Sequence, residues 1–536
     1  MSQYEKRTLE IKKRLKRFTD SSFAYQLFNY LAKPSGNLTV SLRKAPWCCM
    51  LALKWKLNYR AYDYAVDISE AELLKILNMI WNLQNEVISG NESFEEVMMS
   101  LKPLLRIQST FQVSEKSQLE SICRQLMWFS ENDPIKLAFN KLTDIDLIDY
   151  YEISAMLQVW LSSKKVQEAE AINLGDIITK LHPRHSIETI IGYIKLVGIP
   201  VRLLPEFMNR FEQGASPEWE YFEDSPLMLK PILVEAEKFA FISKSVFSNG
   251  TTDLVPCLLK LHFKEEFKSI FGPVMENYVE SILNDAQLTY IQESQVKELY
   301  RNNSISGKVI DFLIQEHDGY ILVDSKAIEP DMVVKTSTDK GKIEKRLEGS
   351  FIKGLVQSQE CAKKLKEIGY IEGNKKLSSI IVTHKNYQIP SARALNEVID
   401  SEIEQKVIDE VGSVEVPISR VYYLSIDEFE MLLEVCKSES LSLSEIIDVV
   451  EGLDQELGKR KSFFSQYLEN IASEKTGQNE KISRERDLLF DRMIQALQMS
   501  IYAWNGNVIE FLKLHSFVKG ELTSVKDTDF LLSLKE

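Results

Sequence analysis

The strongest constraint on the fold is the stretch Val309–Ala327, Val-Ile-Asp-Phe-Leu-Ile-Gln-Glu-His-Asp-Gly-Tyr-Ile-Leu-Val-Asp-Ser-Lys-Ala. Two apolar runs flank an Asp318-Gly319 pair. That pattern signals a β-hairpin, because a type I′ turn needs positive φ at both central residues and Asp-Gly tolerates it. A two-residue turn there sets Lys326 opposite Asp311 and Asp324 opposite Leu313. Strand side chains alternate faces, so Asp311, Asp324 and Lys326 are expected on one face. Two carboxylates and an ammonium converging on a rigid sheet can hold a hard divalent cation beside a phosphate.

A chain of 536 residues has room for two to four domains. Its net charge of −14 argues against coating nucleic acid by bulk electrostatics, while leaving room for a local basic channel. The six cysteines, Cys48, Cys49, Cys123, Cys257, Cys361 and Cys436, form no Cys-x-x-Cys pair and are widely scattered. That usage favours reduced, buried thiols and a cytoplasmic setting. Met1–Asp20 is charged throughout and has no signal-peptide core. The most apolar run, Trp47–Trp55, is broken by Lys54 and too short to span a bilayer, so no membrane partner is expected. The chain lacks a Gly-x-x-x-x-Gly-Lys-Ser/Thr loop, so a nucleotide-driven motor would have to be a partner.

The pattern along the chain predicts a mixed protein: a central α/β domain between mainly helical regions over 1–250 and 440–536. Met1–Phe18 reads as a basic amphipathic helix burying Leu9, Ile11, Leu15 and Phe18, its lysines and arginines forming a solvated face in preference to a nucleic-acid or partner contact. Leu38–Arg43 reads as a short strand. From Ile68 to about Ile242 the spacing is helical, with a turn at Asn91-Glu92-Ser93. The one close histidine pair, His182-Pro-Arg-His185, reads as a helix-end loop, since no nearby cysteine completes a metal site. Leu443–Asn505 is helical again, followed by short apolar runs around Ile509–Leu514 and Phe530–Leu534.

The central stretch alternates between periods. Phe263–Leu283 presents a broad apolar helical face interrupted at Gly272-Pro273, which places the helix start at Pro273. Glu276 falls at the edge of that stripe and Glu280 near the centre of the polar face, which favours Glu276 as a functional acid. Glu329–Ser350 is polar and irregular. Phe351–Lys366 is a helix carrying Gln357, Leu377–Val382 a strand, Ser391–Ile399 a helix and Val421–Leu424 a strand before another helix. Asp331–Lys376 holds eleven Lys/Arg against seven Asp/Glu, a local surplus suited to a phosphodiester strand.

Asp324-Ser325-Lys326 alone means little, because composition supplies about ten acid-x-base tripeptides by chance. In context it means more: a helix with Glu276, a strand with Asp311, Asp-x-Lys on the next strand, a helix with Gln357, then a further strand. Over about Phe263–Val435 this order resembles the PD-(D/E)xK phosphodiesterase superfamily, the restriction-endonuclease-like fold. Ile310 stands where the motif proline often precedes the first acid. The resemblance implies that Asp311, Asp324, Lys326 and Gln357 are catalytic. It implies Mg²⁺ or Mn²⁺ on Asp311 and Asp324, with Glu276 and the Ser325 carbonyl. Lys345, Arg346, Lys353 and Lys363 would contact nucleic acid.

The implied function is a metal-dependent nuclease, endonuclease rather than exonuclease, on DNA in preference to RNA. By fold-level analogy it belongs with bacterial antiphage defence, and its helical flanks would recruit a protein partner or a second copy. The competing reading is a nuclease-like module that has lost catalysis and serves as a nucleic-acid-binding or scaffold subunit. A structural Asp–Lys ladder on a half-exposed sheet would carry no such function.

Overall fold

The computed structural model describes residues 2–87, 94–112, 115–130, 132–162, 167–211, 219–235, 237–473 and 477–524. The Asn91-Glu92-Ser93 turn and the Phe530–Leu534 run lie outside them. The chain divides into two units. One comprises Met1–Ser89, Leu104–Lys264 and Lys481–Glu536, the other Gly90–Pro103 and Glu265–Glu480. The helical C-terminal region expected over 440–536 is therefore shared. Leu443–Gln455 and Phe464–Ile471 join the central sheet, while most of Glu480–Trp504 and all of Val508–Ser524 join the N-terminal unit. Apolar periodicity marks a face to be buried but does not say which neighbour buries it.

The first unit is helical around one small sheet. Ser2 and Glu5 form a capping box on the Gln3–Leu15 helix, which buries Tyr4, Thr8, Ile11 and Leu15. Leu9, expected inside, is exposed. Several of the basic residues serve the unit itself: Arg14 meets Glu72 at 2.7 Å and Arg7 meets Glu86 at 2.8 Å. Leu38–Leu42 is a helical turn rather than a strand, because the Asn37 side chain accepts from the Val40 amide and caps it. The Pro46–Asn58 helix is buried on nearly every side, with Lys54 paired to Glu220 and Glu223. Within the Ile68–Ile242 stretch, whose apolar spacing is mostly helical, the unit also forms a small sheet. Its strands β1 (Glu170–Asn173), β2 (Gly198–Pro200), β3 (Ile232–Glu235) and β4 (Lys238–Phe241) run in the order β1-β4-β3-β2. They are three or four residues long, too short for a period of two to show.

The second unit is built on a five-stranded mixed sheet: β5 (Tyr290–Gln292), β6 (Phe312–Gln315), β7 (Gly319–Lys326), β8 (Lys376–Thr383) and β9 (Val421–Ser425), in chain order across the sheet. The first three strands pair antiparallel and β7-β8-β9 pair parallel. Parallel neighbours need crossovers, and helices supply them. Met332–Thr336, Lys340–Leu347 and Lys353–Glu367 lead from β7 to β8, and Ala392–Val398 and Ile403–Val411 lead from β8 to β9. The polar Glu329–Ser350 segment is thus partly helical, with the Asp331 and Asp339 side chains as N-caps. The Phe267–Asp285 helix starts before Gly272-Pro273 and packs on β7. Across the sheet, Leu313, Leu322 and Ile381 share a core with Leu355, Val356 and Leu365 of the Lys353–Glu367 helix. Each such buried side chain stabilises by about 2 kcal/mol, so this packing fixes the helix over β7.

Among the described residues, no helix is long and apolar enough to cross a membrane. All six cysteines are free thiols.

Candidate functional site

The hairpin forms where expected, but its register differs by two residues. Leu313 pairs with Leu322 and Gln315 with Tyr320. The turn centres on His317-Asp318, with the Glu316 amide donating to the Gly319 carbonyl. Neither turn residue has positive φ, so the type I′ turn is absent. Gly319 is required for another reason: a Cβ there would stand 2.6 Å from the Lys376 carbonyl oxygen of the neighbouring strand. A slip of two preserves the facing of every side chain. Its consequence is that Asp311, one residue before the last ladder pair Phe312–Val323, rather than Leu313, comes beside Asp324.

The same row continues into the edge strand. Gln292 pairs with Phe312, and the Glu293 amide donates to the Asp311 carbonyl at 2.8 Å. Glu293, Asp311 and Asp324 therefore lie in one row across three chain segments. The Asp311 carboxylate accepts from the Ser325 amide at 2.6 Å. Asp324 is 1% exposed, and its Oδ2 lies 2.5 Å from Lys326 Nζ without hydrogen-bond alignment. Lys326 also donates to Gln357 Oε1 at 3.3 Å. Gln357 Nε2 donates in turn to the Val309 carbonyl and to Asp324 Oδ1. The amide thus holds the lysine with one end and the acid with the other.

Gly354 lets the helix carrying Gln357 come this close. A Cβ at that position would lie 3.2 Å from Ile381 and 3.6 Å from Asp324 Oδ2.

The electrostatics follow from burial and crowding. Burial, then the charge of Asp324, pushes the Asp311 carboxyl from 3.8 up to about 7. Asp324 is also raised by burial, against the pull of Lys326 and Lys353. Glu276 is raised by burial and then by Glu293, Glu280 and Asp324. Carboxyls that resist ionisation because others stand beside them form a site short of positive charge. Glu280 plays a different part, accepting from Tyr290 and Gln292. Glu293 escaped the sequence reading. Its one local signal was the capping box of Gln292 and Gln295 around a helix start, which says nothing of the acids beside it.

The expected nucleic-acid contacts do not gather. Lys353 is exposed and its charge reaches Asp324. Lys345 is exposed on the Lys340–Leu347 helix, and Arg346 is paired with Asp331 at 3.2 Å. Lys363 donates to the Val411 carbonyl at 2.6 Å, closing the end of the Ile403–Val411 helix. Ser325 lies between the acid and the lysine, its amide committed to Asp311.

Among the described residues, the one set of three or more His, Cys, Asp or Glu side chains whose ligand atoms close on one another lies elsewhere, and Glu276, Glu293, Asp311 and Asp324 do not close that tightly. Asp149, Glu152 and His185 have such atoms within 4.8 Å of one another. His185, which the sequence placed in a helix-end loop without further ligands, meets Asp149 at 3.0 Å. Glu152, however, already receives two hydrogen bonds or more from Arg184 and stands 3.4 Å from Arg492. Two guanidinium groups stand against Glu152, so the group is balanced in charge, but His185 Nε2 and Arg492 Nε are buried without a hydrogen-bond partner. No protein-family model, curated protein or solved structure matches the chain.

Proposed function

We propose that this chain is a divalent-metal-dependent phosphodiesterase that cleaves nucleic acid, with a PD-(D/E)xK-like core over about Phe263–Val435. The observation that carries the reading is the Asp311–Asp324 pair facing across the hairpin, with Lys326 and Gln357 tied to it. The donor set fits Mg²⁺ or Mn²⁺: hard oxygen ligands from Asp311 and Asp324, with Glu276 nearby and one buried Asp324 oxygen lacking an aligned hydrogen bond. A bound divalent cation would neutralise charge developing on the phosphate and make a water nucleophilic at neutral pH.

The chain's own residues do the rest. Lys326 brings an ammonium to the mouth of the acid pair, where it can hold a water or a non-bridging phosphate oxygen. Gln357 fixes that ammonium and Asp324 relative to each other, which limits the reorganisation needed during reaction. Lys353 adds positive charge where an anionic strand would enter. DNA is the first substrate to test.

The experiment is cleavage of single- and double-stranded DNA and RNA with Mg²⁺ or Mn²⁺, comparing the intact chain with Lys326→Ala and Asp324→Ala. Metal-dependent cutting that disappears in both variants is the expected result. If nothing is cut, Mn²⁺ titration decides. Binding that Asp324→Ala abolishes retains the metal site, whereas no binding to the intact chain refutes it and leaves a scaffold.

A further inference from the structure

The last three turns of the Glu480–Trp504 helix, Met493–Trp504, are uncharged and largely apolar but covered on one side only. The buried seam of the helix is Ile482, Leu489, Met493, Ala496 and Ser500, at heptad-like spacings. Ser500 Oγ donates to the His182 carbonyl at 2.8 Å, and Trp504 packs on His182, so this seam is docked on the N-terminal unit. A second seam repeats the spacing one residue later, at Phe490, Ile494, Leu497 and Ile501. There Ile494, Leu497 and Ile501 are exposed. Tyr502 is 81% exposed and, past the turn at Gly506, Ile509 is 73% exposed.

An isolated exposed isoleucine is ordinary. This set is not, because helical turns apolar around most of their circumference, as Met493–Trp504 are, normally lie inside a structure. Ile494, Leu497, Ile501, Tyr502, Val508 and Ile509 together leave on the order of 800 Å² open, about what each partner contributes to a standard interface.

Charge identifies the occupant. From Met493 to Ile509 there is no charged residue, in a chain whose net charge is −14. Two copies repel over most of their surface, and a neutral apolar seam is where they can meet without stacking like charges. A two-fold contact also requires a patch complementary to itself, which an uncharged row of knobs at heptad spacing satisfies. We infer that this seam is a homodimer interface, formed by the Glu480–Trp504 helix of one copy against the same helix of a second. The inference stands apart from the nuclease reading.

Sedimentation equilibrium of the full chain tests it. At tens of micromolar the intact protein should sediment at twice its 61.8 kDa. Ile501→Glu buries a carboxylate at the centre of the seam and should weaken dimerisation by about 100-fold or more. Ile494→Lys serves as the second variant. Both positions are exposed, so both variants should keep the parent's circular dichroism as folded monomers, with a melting temperature lowered only by the loss of association. A monomeric parent refutes the inference. So does a dimer that both folded variants leave unchanged, which would place the contact elsewhere.

Discussion

Replacing Asp311 by Asn distinguishes a metal-poised acid pair from a structural one by the sign of its effect. In the folded chain burial and the neighbouring Asp324 hold the Asp311 carboxyl at about 7, against an ordinary 3.8. The folded state therefore binds this proton more tightly than the unfolded state. Its contribution to stability is complete below pH 4 and is lost as pH rises through about 7. Moving a carboxyl across that interval corresponds to ~4 kcal/mol, and relaxation around Asn and the second acid should leave about half of it, ~2 kcal/mol.

Asn keeps the oxygen that accepts from the Ser325 amide but carries no charge. Asp311→Asn should thus leave stability unchanged at pH 4 and raise it at pH 8 without metal. For a unit of this size the gain is about 4–8 °C in melting temperature. Calorimetry with a chelator at both pH values measures this. Added Mn²⁺ should reverse the order, raising the melting point of the intact chain and not that of the variant. If Asp311→Asn is destabilising to the same extent at both pH values, the carboxylate is held charged by its partners. The site would then be a structural ladder, and the argument for a cation would fail.

Gln357→Ala should lower cleavage about 10- to 100-fold while keeping Mn²⁺ affinity within about threefold, since the amide orients Lys326 and Asp324 without supplying the charge. Gly354→Ala places a methyl 3.2 Å from Ile381 and should cost about 1–3 kcal/mol in denaturant unfolding, with a loss of cleavage as Asp324 shifts. Lys353→Ala should weaken nucleic-acid binding and reduce its salt dependence by about one ion. Lys363→Met should leave both unchanged and instead lower stability by about 1 kcal/mol, because its ammonium serves the Val411 carbonyl.

Local chemistry made much of the site legible. The hairpin at Val309–Ala327, the acid on each of its strands, the lysine two residues on and the glutamine helix all follow from period and composition over short windows. Their common face survived an error in register because the side-chain period is two, so a slip of two residues leaves every facing intact. The actual partner of Asp324 did not survive it. That choice rests on where the turn closes, and the closing point is set by Gly319 lying against the Lys376 carbonyl, a contact with a strand more than fifty residues away.

Glu293 joined the acids only when β5 paired with β6. Lys363 turned from a phosphate-binding candidate into a helix cap only when the Ile403–Val411 helix came beside it. The Glu480–Trp504 helix showed its apolar faces in the sequence, but not which of them the N-terminal unit would cover. Side-chain period and capping are properties of neighbours along the chain and can be read there. Register, charge crowding and the choice of a buried face depend on residues brought together from far apart, and those only the folded chain decides.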